Sequence, residues 1–207
     1  GFGIPADEIK AMLDKYGLKV SGTHTGWQEI AEHYEETLAY HKAIGCKDII
    51  IPYEGMATKA EVDAVVDRVN VLIPRLKAEG IALHYHHHAP ELPPNQAGLV
   101  PEEELLQRTD ILLEVDTYWA FAADKDPVAF LREHKDRIRV IHLKDGKGGD
   151  TCASLGQGIA PVAAVRQAAI ELGLTMVVES EGLDPTGLEE SKRCIDYLKA
   201  EDQKDGN

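Results

Sequence analysis

The stretch GCKDIIIPY, residues 45–53, contains the unit from which this chain is built. Gly45 is suited to end a helix, because glycine adopts the left-handed conformation of a helix C-terminus without a steric penalty from Cβ. The unbroken apolar run at residues 49–51 is typical of a strand that is buried on both faces of a sheet. Residues 45–53 therefore predict the end of one helix followed by a buried strand.

The same pattern recurs along the chain, since Gly17, Gly80 and Gly173 also precede apolar runs. Six such runs recur at intervals of roughly 30 residues, which is the length of a strand–helix–strand unit. They are LKVSGTHT (18–25), KDIIIPY (47–53), IALHYHHHA (81–89), ILLEVDTYWA (111–120), IRVIHLKDG (138–146) and TMVVESEG (175–182). Segments with helical periodicity lie between them, and Thr58 with Glu61 forms a capping box before one of these segments. Alternating helices and apolar strands predict an α/β fold with a parallel sheet.

Two architectures fit this alternation, an open doubly wound sheet and a closed (β/α)8 barrel. No GxGxxG motif follows the first strand, so a dinucleotide-binding sheet has little support. A TIM barrel normally has eight units and about 250 residues, whereas only six strands are recognised here. We therefore predict a single TIM-barrel-like domain over residues 1–207, incomplete at its N-terminus. The chain begins GFGIPADE, with neither an initiator Met nor a signal-like segment, and we expect further residues upstream.

Composition excludes several classes of protein. A formal net charge of −14 argues against a nucleic-acid partner, because binding to phosphates depends on clustered Lys and Arg. No apolar stretch approaches the ~20 residues of a membrane span. Cys46, Cys152 and Cys194 are far apart and form no CxxC pair, so they predict neither a disulfide framework nor a cysteine zinc site.

Ionisable residues occur in phase at the ends of five predicted strands. In a strand, side chains at i and i+2 share a face, so His84, His86 and His88 face one way and His87 the other. The other in-phase pairs are Gly22 with His24, Glu114 with Asp116, His142 with Lys144, and Glu179 with Glu181. The carboxyl ends of barrel strands meet at one mouth, where the functional groups of this fold lie. The pattern predicts a polar site there.

Grouped carboxylates repel one another, and a divalent cation relieves that repulsion. Imidazole and carboxylate ligands without a thiolate suit Mn²⁺, Mg²⁺, Zn²⁺, Co²⁺ or Fe²⁺. Taken alone, a histidine at a strand end is more often structural, and we assign His84 and His87 to that class. Taken jointly, one set of residues predicts a metal site: His86, Asp116, His142 and Glu179. Trp27 and Trp119 follow strand ends and serve either as packing residues or as walls of a sugar pocket.

Five motifs in this order and spacing resemble the xylose isomerase-like sugar phosphate isomerase/epimerase family: YHHHAPEL, LLEVDTYWA, RIRVIHLKDG, GQG (156–158) and VVESEG. The resemblance covers essentially the whole chain. It implies a TIM barrel with one divalent metal ion, Mn²⁺, Mg²⁺ or Zn²⁺, for which Asp116, His142 and Glu179 correspond to ligands. The family's first strand, first helix and most of its second strand have no counterpart here.

The resemblance also has departures. The epimerase branch has a ligand glutamate where this chain has His86, so the fourth ligand is either His86 or a nearby carboxylate such as Glu91. Of the two glutamates that share acid–base work in the epimerases, only Glu179 has a clear counterpart. The triple histidine is similar to a run in the inosose dehydratase branch. Abasic-site endonucleases are also relatives, and the acidic composition disfavours that branch.

The expected activity is isomerisation or epimerisation of a keto sugar, sugar phosphate or related polyol through a metal-stabilised enediolate. We expect catalytic roles for Glu179, Lys144 and His88, and the residues expected to line the substrate pocket are His24, Trp27, His88, Trp119 and Lys144. Two alternatives stay open: a lyase that removes water at the same metal site, and a non-catalytic domain that binds a sugar or a partner. The glycine turns at residues 146–149 and 156–158 could receive a phosphate, although ordinary turn chemistry is the preferred explanation.

The expected partner is a small carbohydrate, with no nucleic acid and no membrane. A barrel with missing strands would leave strand edges unpaired, and a homo-oligomer is one way to cover them. We expect a cytoplasmic location, with secretion left open because the N-terminus is predicted to be incomplete.

Overall fold

The structure is a computed structural model that describes residues 3–204 and 206. The chain divides into two compact units. The first contains the residues up to His86 together with Pro94–Leu112, and the second contains His87–Pro93 and the chain from Leu113 onward.

The first unit is built on three parallel strands in the order β1–β2–β3. These strands are β1 (Thr23–His24), β2 (Asp48–Ile51) and β3 (Ala82–His86). Its helices are α1 (Ala6–Tyr16), α2 (Trp27–Glu32), α3 (Tyr34–Ile44), α4 (Lys59–Ala78) and α5 (Pro101–Arg108). The apolar residues of β2 are buried, and α4 adds a buried stripe of valine and leucine. The strands therefore lie in the core, as their near-continuous apolar composition predicts.

The second unit also contains three parallel strands, in the order β4–β5–β8. Its strands are β4 (Leu112–Asp116), β5 (Ile138–Leu143), β6 (Asp145–Gly146), β7 (Cys152–Ala153) and β8 (Thr175–Val178). Its helices are α6 (Thr117–Ala122), α7 (Pro127–Glu133), α8 (Val162–Leu172) and α9 (Gly187–Lys204). Two short 3-10 turns, Ala89–Glu91 and Lys135–Arg137, complete the unit.

The six predicted strands are confirmed, and so is the α/β alternation of strands and helices. The four glycines expected after helices all adopt the left-handed conformation, with φ of 64° at Gly17, 75° at Gly45, 74° at Gly80 and 70° at Gly173. The capping box of Thr58 and Glu61 is present at the start of α4. Among the described residues, no helix combines the length and apolar character that a membrane span requires.

The sequence did not predict the short antiparallel hairpin of β6 and β7, which pairs Asp145 with Ala153 and Gly146 with Cys152. Each of its strands has only two residues, too few for an alternating pattern to be visible. The hairpin follows β5 after a single residue, Lys144, and so lies next to the predicted site.

A buried histidine links α3 to β1 in the first unit. His41 is 4% exposed, and its Nδ1 donates to the carbonyl of Thr37 at 2.6 Å, since a carbonyl can only accept. Its Nε2 lies 2.6 Å from the hydroxyl of Thr23 and accepts a hydrogen bond from it in the neutral ring. Burial lowers the pKa of His41, so the neutral form is favoured in the folded chain.

We expect this histidine to make stability depend on pH. Because its pKa is lower in the folded chain than in the unfolded chain, the unfolded chain binds more protons as the pH falls below about 6.5. The wild type should therefore lose part of its free energy of unfolding between pH 7 and pH 5, and His41→Gln should lose less. Urea unfolding at a series of pH values measures this difference. His33→Gln, at an exposed histidine, is the control, and a wild-type advantage over His41→Gln that does not change with pH would contradict the prediction.

Candidate metal centre and active site

The strand register of the second unit brings together three of the predicted ligands. Asp116 is paired with His142 between β4 and β5, and His142 is paired with Val177 between β5 and β8. Glu179 follows Val177 by two residues, and side chains two residues apart in a strand point to the same side. Its N–H donates to the carbonyl of Leu143 at 3.2 Å, so the pairing with β5 continues past the end of β8. One ligand atom from each of Asp116, His142 and Glu179 lies within 4.8 Å of the others.

The two oxygens of Asp116 have different surroundings. Oδ1 accepts hydrogen bonds from the N–H groups of Tyr118 at 2.9 Å and Trp119 at 3.0 Å, which caps α6. Oδ2 is buried and has no hydrogen-bond partner within the described part of the chain, and the nearest cationic nitrogens are Nζ of Lys144 at 3.6 Å and Nδ1 of His142 at 3.9 Å. A buried carboxylate oxygen without a donor is costly unless a cation reaches it. Asp116 is thus held in place by one oxygen while the other is presented to the site.

His142 lies between two carboxylates. Its Nδ1 is 2.9 Å from Oε2 of Glu179, and its Nε2 is 3.2 Å from Oε2 of Glu114. Burial acts to lower the pKa of His142, but the hydrogen bonds to these two glutamates outweigh it and raise the pKa to about 10. The imidazole is therefore protonated, and its positive charge offsets the negative charges of Glu114 and Glu179.

The same electrostatics affects the two acidic ligands. Burial raises the pKa of Asp116 to about 7, although the charge of Lys144 opposes this shift. Burial also acts to raise the pKa of Glu179, but the hydrogen bond and charge of His142 hold it well below its usual value. A divalent cation would supply the positive charge that the carboxylates need. One imidazole and two carboxylates, without a thiolate, suit Mn²⁺, Mg²⁺ or Zn²⁺, so the residues present fit a metal ion.

Lys144 is a buried ammonium beside these residues. It is 2% exposed, and its Nζ lies 3.0 Å from Glu179 and 3.6 Å from Asp116 and also donates to Glu181. Burial acts to lower the pKa of Lys144, but the charge of Asp116 and the contacts with Glu181 and Glu179 raise it. Lys144 therefore stays protonated and acts as a charged donor.

His88 and Trp119 form a wall next to Lys144. The two rings are 5.9 Å apart, and the Lys144 ammonium is 5.0 Å from the Trp119 ring. Burial lowers the pKa of His88, so its imidazole is neutral at pH 7 and is able to accept a proton. Nε1 of Trp119 is buried and has no hydrogen-bond partner among the residues that the structure describes. These three side chains combine apolar surface with polar groups.

Two neighbours of His88 have structural contacts. The Glu91 carboxylate, the alternative fourth ligand, accepts the N–H of His88 at 3.0 Å and caps the turn that begins there. His87 is completely buried, and its Nε2 donates to the carbonyl of Asp116 at 3.1 Å. His87 also packs edge-on against Phe130, with 5.8 Å between ring centroids. These contacts support the structural role that was predicted for His87.

The other predicted site residues lie in the first unit. The rings of His24 and His86 are 5.0 Å apart, with His86 buried and His24 exposed. Trp27 stacks under the guanidinium of Arg68 at 4.8 Å, and Arg68 is paired with Glu54. His84, also in this unit, is fully buried, and its Nε2 is 2.8 Å from Asp48.

Several residues with clear contacts at the site were not among the predicted site residues. Glu114 contacts His142, and Glu181 contacts Lys144. Their parity with Asp116 and Glu179 was a signal for both. The contacts of Asp145 and Tyr118 could not be predicted from the sequence, because they are made to backbone groups of a loop more distant in sequence.

The chain belongs to the xylose isomerase-like TIM barrel family, whose model matches residues 3–200. It is similar to 2-oxo-tetronate isomerase of Haemophilus influenzae, with 26% identity over 150 residues, or 59% of this chain and 58% of that protein. It is also similar to inosose dehydratase of Geobacillus thermodenitrificans, with 25% identity over 166 residues, or 66% of this chain and 54% of that protein. The chain thus spans little more than half the length of these curated relatives.

A crystal structure of a sugar phosphate isomerase/epimerase from Parabacteroides distasonis superposes with a TM-score of 0.79 at 28% identity, covering 95% of this chain and 81% of that chain. The predicted family and fold class are therefore confirmed. The named relatives are enzymes, and they include both an isomerase and a dehydratase.

The thiol of Cys152 contacts Glu181 beside the site and reports on the charge of that carboxylate. Its Sγ lies 3.3 Å from Oε2 of Glu181. Burial raises the pKa of Cys152 to about 11, and the hydrogen bond to Glu181 adds to the shift, whereas the charge of Lys144 opposes it. Because the thiolate is the reactive form, Cys152 should react slowly with a disulfide reagent at pH 8.

We expect Glu181→Gln to lower the pKa of Cys152 and to increase its rate of reaction with dithionitrobenzoate at pH 8 several-fold. The substitution removes the negative charge that disfavours the thiolate and leaves Lys144 in place. Cys46 and Cys194 are buried, so the native protein reports on Cys152, and Cys152→Ser verifies this assignment. Asp150→Asn, at an exposed carboxylate of the same loop, is the charge control. An unchanged rate in Glu181→Gln would show that Cys152 does not contact Glu181 in solution.

Proposed function

We propose that this chain forms a divalent-metal-dependent isomerase or epimerase site for a keto sugar or a related polyol. The observation that carries the proposal is the cluster of Asp116, His142 and Glu179, in which a buried carboxylate oxygen has no donor. Membership of a family whose named relatives include sugar isomerases and a dehydratase supports the same reaction type.

The three clustered residues would hold the metal ion, and His142 would have to give up its proton to bind it, because only the neutral imidazole is a ligand. When bound, the ion would polarise the substrate carbonyl and its adjacent hydroxyl and acidify the C–H between them. Oδ1 of Asp116 accepts hydrogen bonds from α6 and holds the carboxylate in place, and Oδ2 would bind the ion. His86 belongs to the first unit, and its role as a fourth ligand stays a prediction from the sequence.

Glu179 is the proposed base. Its carboxylate is ionised at pH 7 because its pKa is held low; the same low pKa makes it a weak base, so the proton transfer would depend on acidification of the substrate C–H by the bound ion. Lys144, 3.0 Å away, holds this carboxylate in position and would stabilise negative charge that develops on the substrate oxygens. His88, neutral at pH 7, is the group that would receive or return the second proton, and Trp119 would form the apolar side of the pocket.

A lyase is the second candidate, and the similarity to inosose dehydratase favours it. Elimination of water shares the first step, which is removal of a proton next to a carbonyl. It further requires an acid for the departing hydroxyl; the raised pKa of Lys144 makes its ammonium a weak acid, so Lys144 would hydrogen-bond the departing oxygen rather than protonate it. Both candidates use the same residues, so the products distinguish them.

Metal binding is the first test. Metal analysis of the purified protein, loaded with Mn²⁺ or Zn²⁺ and then desalted, should show one tightly held ion per chain. Asp116→Asn should weaken this binding by at least about tenfold, because removing or disturbing a ligand typically costs that much affinity. Asp126→Asn is a matched control, since Asp126 caps α7 as Asp116 caps α6. Absence of any bound or bindable divalent ion would overturn the proposal and favour a non-catalytic binding domain.

The reaction itself is followed by NMR in D₂O with neutral ketoses and a keto-inositol in the presence of Mg²⁺. Solvent deuterium in an isomeric product identifies an isomerase, and a product that has lost water identifies a lyase. Glu179→Gln should lower the rate by about 10²–10⁴-fold, the usual contribution of a general base. Glu171→Gln, at an exposed residue paired with Arg132, should leave the rate unchanged. Equal rates for the wild type and Glu179→Gln would rule out Glu179 as the base.

A further inference from the structure

Glu114 is a buried carboxylate to which the proposed mechanism gives no role. It is 2% exposed, and it lies on β4 two residues before Asp116, so the two side chains share a face of the strand. Its Oε2 is 3.2 Å from Nε2 of His142. A carboxylate at this depth is costly to bury unless a hydrogen-bond donor or a cation accompanies it. The ring of His142 supplies such a donor to Glu114.

The backbone of β4 is irregular at this residue. The register between β4 and β5 shifts by one residue just before Glu114, so that Glu114 is paired with Val140 and Asp116 with His142. Without the shift, Asp116 would be opposite Ile141, whose side chain lies on the other face of β5. Bulges of this kind re-aim side chains and are frequent beside active sites. The shift therefore places both acids on the face of β5 that carries His142.

The two ring nitrogens of His142 face different carboxylates. Nδ1 is 2.9 Å from Glu179 and 3.9 Å from Oδ2 of Asp116, which are the other two residues of the proposed metal site. Nε2 is on the opposite side of the ring and faces Glu114. A neutral imidazole binds a metal ion through one nitrogen and carries its proton on the other. Nδ1 is therefore the nitrogen that would bind the ion, which leaves the Nε2–H to donate to Glu114.

We infer that Glu114 is a positioning residue, which accepts the Nε2–H of His142 and so holds Nδ1 toward the two carboxylate ligands. This inference rests on the proposed function and adds a residue to its metal site. A hydrogen-bond acceptor behind a ligand histidine fixes the tautomer and the orientation of the ring and makes the ring a stronger ligand. Glu114 thus acts through His142 and is not itself a ligand.

Zinc affinity tests the inference without any substrate. Competition between the metal-free protein and a chelating indicator for Zn²⁺ should show about 10–100-fold weaker binding by Glu114→Leu than by the wild type, the usual cost of losing the partner of a ligand histidine. Glu114→Gln removes the charge but keeps an oxygen that accepts the Nε2–H, so it should recover most of this loss. An equal loss in the two variants would indicate an effect of charge alone and would overturn the inference.

A second carboxylate–histidine pair provides the control. Asp48 lies 2.8 Å from Nε2 of the buried His84 in the first unit, and neither residue belongs to the proposed metal site. Asp48→Asn removes one negative charge from a histidine, as Glu114→Gln does. It should leave the zinc affinity unchanged, and a loss as large as that of Glu114→Leu would show that the effect is not specific to His142 and would overturn the inference.

NMR of the wild type decides the inference even if Glu114→Leu does not fold. In Zn²⁺-loaded protein with ¹⁵N-labelled histidine, His142 should be the tautomer with zinc on Nδ1 and a proton on Nε2, and that proton should exchange slowly with water. The resonance is assigned by its disappearance in His142→Gln. Zinc on Nε2 would place the ion beside Glu114, make Glu114 a ligand and overturn the inference.

Failure of the proposed function has a different signature in these experiments. If zinc binds tightly and Asp116→Asn weakens it, but Glu114→Leu binds it as the wild type does, the inference alone is wrong. If Glu114→Leu weakens zinc binding and no ketose is converted, the proposed reaction is wrong and the role of Glu114 is retained. Absence of any bindable divalent ion would overturn both.

Discussion

The arrangement of the site depends on Asp116, whose two carboxylate oxygens have different surroundings. Oδ1 caps α6 through the N–H groups of Tyr118 and Trp119, and so fixes where both aromatic rings lie. Trp119 then packs near His88 and Lys144, and the hydroxyl of Tyr118 contacts the backbone of Gly148 and Gly149. Because these contacts hold the carboxylate, Oδ2 stays in the site although no hydrogen-bond donor satisfies it. A single side chain therefore connects the end of β4, the first turn of α6, and the cluster formed with His142 and Glu179.

Charge balance is the second constraint on the site. Four carboxylates, those of Glu114, Asp116, Glu179 and Glu181, lie around two cationic side chains, His142 and Lys144. Burial raises the pKa of Asp116 to about 7, whereas burial acts to lower the pKa of His142 and the hydrogen bonds to Glu114 and Glu179 raise it to about 10. Each shift reports a carboxylate that needs a positive charge nearby. The cluster contains more acids than its two cations can neutralise, and a divalent ion would satisfy Asp116 and Glu179 together.

The sequence predicted the part of the site that follows from strand parity. Asp116, His142 and Glu179 were found because each ends a recognisable apolar strand and because parallel strands in register bring their ends together. Glu114 and Glu181 had the same parity, but a single carboxylate is more often solvated, and only the structure shows the contacts to His142 and Lys144. The role of Asp145 could not be predicted, since its partners lie up to 15 residues away in a loop without periodicity. Local patterns identify strand ends, whereas loop closure depends on contacts that they do not encode.

The segment HLKD, residues 142–145, connects the site to this loop through the alternation of the strand. His142 and Lys144 point to the carboxylate cluster, whereas the intervening Leu143 is fully buried and Asp145 contacts the glycine turn. A slip of one residue would exchange these faces, placing Asp145 among the other acids and Lys144 against the four backbone N–H groups that donate to Asp145. Loop closure and site assembly are therefore set by the same register. The end of β5 thus positions His142 and Lys144 at the carboxylate cluster and Asp145 at the glycine turn.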